Sequence, residues 1–144
     1  MQVFVPFALL LSFFCPCGAI DQEKSDNAPA RQPADLIGTW QGRFEGLPAV
    51  DLTIKIDANK LSGVAVLYTM VDVGSGPEVD DKEEQPIIEP RFDGKALTFK
   101  IKRKSEEQIL ELVMTLVGKD EAELQQRGGP DIDPTMIVKM TRKK

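Results

Sequence analysis

Histidine is absent from this chain, and cysteine occurs only at Cys15 and Cys17, inside the first apolar run. The first absence removes the commonest general base and the commonest metal ligand together. The second leaves everything beyond residue 17 without a thiol, so neither a nucleophilic cysteine nor a disulfide framework is available there. A Gly-x-Ser-x-Gly nucleophile elbow is also missing. Together these absences make a non-enzymatic role the expectation. Positive charge is in deficit: 18 Lys and Arg face 23 Asp and Glu, for a net charge of −5. Phosphate binding needs clustered cations, so nucleic acid is not an expected partner. The basic tail Lys139–Lys144 is short and isolated, and reads as a solvated strand end.

What is present begins with MQVFVPFALLLSFFCPCGA, residues 1–19. Val3–Phe14 is an apolar run, shorter than the roughly 20 residues of a membrane-spanning helix. Small residues close it, with Cys17 and Ala19 three and one positions before a cut after Ala19. This reads as a secretory signal peptide. No Lys or Arg precedes the run and Pro6 interrupts it, which keeps an uncleaved N-terminal anchor as the alternative. Phe14 and Pro16 precede the two cysteines, where a lipoprotein signal needs a small residue. The expected location is therefore secreted or periplasmic, with no membrane span left after cleavage. Residues 20–34 are polar with almost no large apolar group, so they cannot offset their ordering entropy and read as a linker. The folded domain is expected over 35–144, a length suited to one domain.

From Asp35 onward the punctuation is that of an all-β protein. Gly38–Gly46 alternates, with Trp40 and Phe44 on one face. Val50–Asp57 alternates cleanly, with Leu52, Ile54 and Ile56 on one side and Asp51, Thr53 and Lys55 on the other. Asp57-Ala58-Asn59-Lys60 is a turn signal, because Asn tolerates left-handed backbone angles. Leu61–Val73 then predicts a hairpin partner with Val64, Val66, Tyr68 and Met70 sharing a face. Gly74–Gln85, with two glycines, a proline and five acids, reads as a loop. Pro86–Pro90 reads as a short edge strand, since prolines flank it. Ala96–Lys102 alternates again, with Leu97, Phe99 and Ile101 inward.

Residues 105–117 fit two patterns. Ser105 with Gln108 suits a helix cap, and Ile109, Leu112, Val113 and Leu116 suit a helical stripe. Leu110, Leu112, Met114 and Leu116 suit a strand equally well. Flanking strand signals and the hairpin turn Gly118–Glu121 favour the strand. Ala122–Gln126 and Thr135–Arg142 complete about eight strands, the last with Met136, Val138 and Met140 on one face. Joined by short turns and without a crossover helix, they predict an antiparallel up-and-down barrel.

The chain's one tryptophan, in Gly38-Thr39-Trp40, sits at the start of the first strand after a short approach led by Pro33. This arrangement resembles the calycin barrels: lipocalins, fatty-acid-binding proteins and avidins. The GTWQG opening and the later FDGKALTF stretch, Phe92–Phe99, resemble small secreted bacterial domains of lipocalin-like type. The resemblance implies that Trp40 plugs one barrel end, that Arg142 of the last strand packs over its ring, and that Gly38 lets the chain pass close beneath. It covers the topology of about 110 residues, but only Gly38, Trp40 and Arg142 by motif. The lipocalins' second motif, a Thr-Asp pair with a following basic residue, is missing, and the biotin ligands of avidins cannot be assigned.

Phe44, Tyr68, Met70, Phe99, Met114, Met136 and Met140 are the expected lining of the barrel interior. Flexible methionines suit either a loosely complementary core or an adaptable ligand cavity. Eight strands lie at the size where a barrel fills with side chains or holds one small ligand. The acids Glu78, Asp80, Asp81, Glu83 and Glu84, and the pair Asp131 and Asp133, lack the ligand spacing and glycine of a Ca²⁺ loop. A glycosidase-like pair would need two acids held about 5–10 Å apart in a cleft, and nothing obvious stiffens this loop. No metal and no cofactor are therefore expected. The expected function is binding of a small apolar or amphipathic molecule, with a packed interaction or accessory module as the alternative.

Overall fold

The computed structural model describes residues 30–104, 107–129, 133 and 135–144. The expected signal peptide (1–19), the linker as far as residue 29, Ser105 and Asp131 lie outside the described residues. A 3₁₀ turn at Pro33–Leu36 leads into nine strands: β1 (Gly38–Phe44), β2 (Leu47–Asp57), β3 (Lys60–Asp72), β4 (Pro77–Pro86), β5 (Ile88–Phe92), β6 (Ala96–Lys102), β7 (Ile109–Leu116), β8 (Glu121–Gly128) and β9 (Ile137–Arg142). They form one sheet in the order β4-β3-β2-β1-β9-β8-β7-β6-β5, with β9 antiparallel to β1 through Trp40 opposite Arg142. The fold is all-β, up-and-down and antiparallel, curled into a half-barrel.

Nine strands appear where eight are expected, and the reason lies in β4 and β5. Counting antiparallel neighbours round the sheet, β3 and β6 run in the same sense. Their partners β4 and β5 therefore also run in one sense, joined by Ile87 alone. The two are halves of one bent strand: the first half pairs with β3, the second with β6. The sheet's outer strands thereby come together, β3 near β5 and β4 near β6. At the bend, the Ile87 amide donates to the Gly63 carbonyl at 3.1 Å. A Cβ on Gly63 would lie 2.3 Å from the Thr53 carbonyl oxygen, so only glycine fits beside the crossing. Glu89 adopts φ of 49°, and the pairing register shifts between Ile88 and Arg91. This is the bulge geometry that lets prolines 86 and 90 sit in a strand.

One expectation is corrected here. The segment Gly74–Gln85 is not wholly a loop, because Pro77–Pro86 pairs with β3 from Asp72 back to Val64. Most of this strand faces water on both sides, so no apolar alternation marks it. Its acids blunt an exposed edge against unwanted pairing. In β3 only the structure shows which face is inward. Ala65 is its fully buried residue, with Leu61 and Leu67 packed on the core, while Val64, Val66 and Tyr68 are half-buried on the opposite face. Apolar residues on both faces of this strand leave alternation unable to choose a side.

The segment 105–117 is a strand where described, over Ile109–Leu116. The turn at Ala58 and Asn59 has φ of 48° and 62°, the positive pair that a tight two-residue hairpin requires. Inward residues of successive strands build one core, including Trp40, Leu52, Ile54, Leu97, Phe99, Ile101, Met114 and Met140, each essentially buried. Full burial of such a side chain contributes roughly 1.5–3 kcal/mol. Without disulfides, that core carries the fold.

Candidate functional site

The sheet has two ends of different chemistry. One end is formed by the chain's approach to β1, the β7–β8 turn and the end of β9. Here the Trp40 ring is wholly buried and its Nε1 donates to the Leu36 carbonyl at 2.9 Å. The 3₁₀ turn aims that carbonyl. Pro33 opens it with a preset backbone angle, and Asp35 accepts a 2.8 Å hydrogen bond from the Gln32 amide. The Arg142 guanidinium lies 4.3 Å from the centre of the Trp40 ring. It donates to the carbonyls of Ile37 and Asp35, and to that of Lys119 at 3.2 Å. Its Nε makes a 3.2 Å ion pair with Asp120. Gly38, at φ of 132°, runs under the arginine, and a Cβ there would meet Nη1 at 3.4 Å. The structure thus brings Gly38, Trp40 and Arg142 together at one end.

Residues 30–34, placed in the linker by composition, rest on this same end. The Arg31 amide donates to the Gly94 carbonyl at 3.2 Å, and its guanidinium to the Gly118 carbonyl at 2.7 Å. A depression of about 720 Å³ lies outside the plug. Arg31, Asp35, Asp120 and Arg142 line it, and all four are already engaged in the contacts above. Lys119, exposed on the β7–β8 turn, lines it as well.

The other end carries a cavity of about 420 Å³ between the β1–β2 turn, the far part of β3, the start of β7 and the β8–β9 connection. Its walls are Phe44, Ala49, Val50, Leu67, Met70, Leu110, Leu112, Leu124, Met136 and Val138, with Tyr68, Gln126 and Asp133 as polar members. Four of the seven residues expected to line the interior therefore border it: Phe44, Tyr68, Met70 and Met136. The other three, Phe99, Met114 and Met140, are buried in the packed core. Gly42 shapes the boundary between core and cavity. A Cβ there would lie 2.7 Å from Cγ1 of both Val50 and Val138, so the two valines close together over the bare glycine. Met70 borders the cavity just past the β3–β4 register shift, where Asp80 of β4 is the extra residue.

Polar contacts at this end are few and specific. The Tyr68 hydroxyl donates to Asp51 Oδ2 at 3.0 Å, and burial, then that carboxylate, push the phenol above its ordinary pKa. Lys143 Nζ sits 3.5 Å from the same oxygen. Asp133 Oδ1 accepts from the Thr135 hydroxyl at 2.6 Å and the Thr135 amide at 2.9 Å. Those bonds, the hydroxyl's first, hold the carboxyl below the usual carboxylate range.

Sequence reasoning missed Asp133 and Gln126 as neighbours of the cavity, along with Leu110 and Leu124. The alternation of β7 and β8 marks the leucines as inward. Depth along the barrel, which separates Leu110 from Met114, has no signature in periodicity. The acids of β4 do not converge, and among the described residues no group of three or more potential metal ligands occurs. No helix among them is long and apolar enough to cross a membrane. Compared with known proteins, the chain matches no family model, no curated protein and no solved structure.

Proposed function

We propose that this chain is an exported, non-enzymatic, lipocalin-like barrel that holds one small apolar or amphipathic molecule at its open end. The observation that carries this reading is the cavity of about 420 Å³, whose walls are aliphatic, aromatic and methionine side chains. Small-molecule sites span roughly 300–1,000 Å³ and are mostly apolar with a few placed polar groups, and this one has that composition. Met70 and Met136 add side chains that adapt to a ligand's outline. The plug at the opposite end supports the same reading, because Trp40 and Arg142 close that end.

Native mass spectrometry of the protein purified from its own host's export compartment tests it. A reproducible extra mass, lost on denaturation and lost again when Leu110→Trp fills the cavity, is the expected result. An unliganded mass together with no uptake of any apolar probe would sink the proposal. The competing reading is an interaction or accessory module. It is favoured by Val71, Val73 and Val79, which stand 38%, 52% and 40% exposed at the tip of the β3–β4 hairpin. Under that reading, charged replacements at the three valines abolish partner capture and leave probe uptake intact.

A further inference from the structure

Resting on the ligand-binding reading above, the chemistry of the cavity mouth narrows the class of ligand. Among the described residues that line the cavity, Asp133 is the only charged side chain. Among the described residues, no Lys or Arg lines it. An apolar cavity that takes a carboxylate or phosphate needs a cation or several aimed donors at the head position, because an uncompensated charge there is costly to desolvate. This cavity presents the opposite. Asp133 is an acceptor-only carboxylate, exposed where it lines the cavity, and its Oδ1 takes the two bonds from Thr135. The Thr135 bonds also favour its ionised form. Gln126 lines the cavity too, its Nε2 donating to the Gly128 carbonyl at 3.4 Å.

We propose that the cavity selects amphipathic molecules with a cationic or hydrogen-donating head, such as an alkyl ammonium, over fatty carboxylates. The tail occupies the space between Leu67, Leu110 and Leu124, and the head meets Asp133 at the mouth.

The test displaces a neutral apolar dye, N-phenylnaphthylamine, from the whole chain with three probes of equal tail: decylammonium, decanol and decanoate, each below its micelle concentration. Decylammonium is expected to displace the dye at a concentration about fivefold below decanoate, with decanol between them, the scale of one exposed charge pair. Added salt is expected to shrink the gap. Asp133→Asn is expected to erase it. Asp57→Asn, which removes the same charge at the opposite end of the barrel, is expected to leave it unchanged. Decanoate binding as well as decylammonium, or a gap that survives Asp133→Asn, overturns the head-group preference and leaves the ligand-binding reading standing. A gap that Asp57→Asn erases equally assigns it to the net charge of −5 and also overturns the proposal. Failure of the dye and of every probe to bind removes the ligand-binding reading itself.

Discussion

The two ends of this sheet are built from the same strands and reach opposite outcomes. At the Trp40 end, a ring fills the space and a guanidinium seals it, with Arg142 bonded to three carbonyls and paired with Asp120. At the Met70 end, aliphatic side chains stand around about 420 Å³ of space, and Asp133 is the single charge on its lining among the described residues. The difference lies in what fills the ends. One large flat side chain with matched polar atoms makes a plug. Several medium side chains leave about 420 Å³ that no side chain of the described residues fills. Gly42 sits at the border, where Val50 and Val138 meet across it.

This contrast is open to attack from both ends, and the largest effect is expected at the plug. Trp40→Ala removes a wholly buried ring and orphans the Leu36 carbonyl. It is expected to cost about 3–5 kcal/mol and to lower Tm by more than about 10 °C, read by calorimetry. Phe44→Ala, the matching aromatic deletion at the cavity, is expected to cost about 1 kcal/mol, because its ring is only half-buried. Equal losses would mean that both ends are packed alike.

Next in size is Gly42. Placing Ala there drives a Cβ into Val50 and Val138, and overpacking of this kind costs about 1–3 kcal/mol. Urea unfolding measures it, and a neutral result would show that the valines can part without loss. Arg142→Lys keeps the charge and loses the planar fork over Trp40. A loss of about 1–2 kcal/mol is expected, whereas a purely electrostatic role predicts none. Leu110→Phe fills the cavity instead of emptying a core. It is expected to raise stability by about 0.5–1 kcal/mol while abolishing dye uptake, a reversal of sign relative to the plug.

The smallest effect is a titration. Tyr68 is the only tyrosine, so tyrosinate absorbance reports it alone. Its pKa is raised by burial and then by Asp51. A folded pKa above the unfolded value of about 10 contributes stability that is present below pH 10 and lost as pH rises through the folded value. The midpoint is expected above 10 in the native protein and to fall toward it in Asp51→Asn. A midpoint unchanged by that substitution would assign the shift to burial alone.

Much of the architecture was legible because period-two alternation is a local consequence of one wet and one dry face. Leu52, Ile54, Leu97, Phe99 and Ile101 all read inward and all lie in the core. Where both faces share a character, the signal vanishes. Strand β4 is polar on both sides and read as a loop, while β3 is apolar on both, so alternation marks no inward side. For the site, Phe44, Tyr68, Met70 and Met136 were reached by residue type, but Phe99, Met114 and Met140 share that type and lie in the core. Asp133 was weighed only as a metal ligand, since an acid in a glycine- and proline-rich connection carries no signal of a cavity.

By itself the sequence determined the strand class, the turn at Ala58–Asn59 and the position of the tryptophan at the first strand, because each depends on neighbours a few residues away. Tertiary structure decided the rest. Bending β4 into β5 needed Gly63 from another strand to make room for Ile87, and stacking Arg142 on Trp40 needed β9 to return beside β1. The cavity likewise depends on how far along each strand an inward residue falls. That distance is set by register between strands distant in sequence, so no local pattern encodes it.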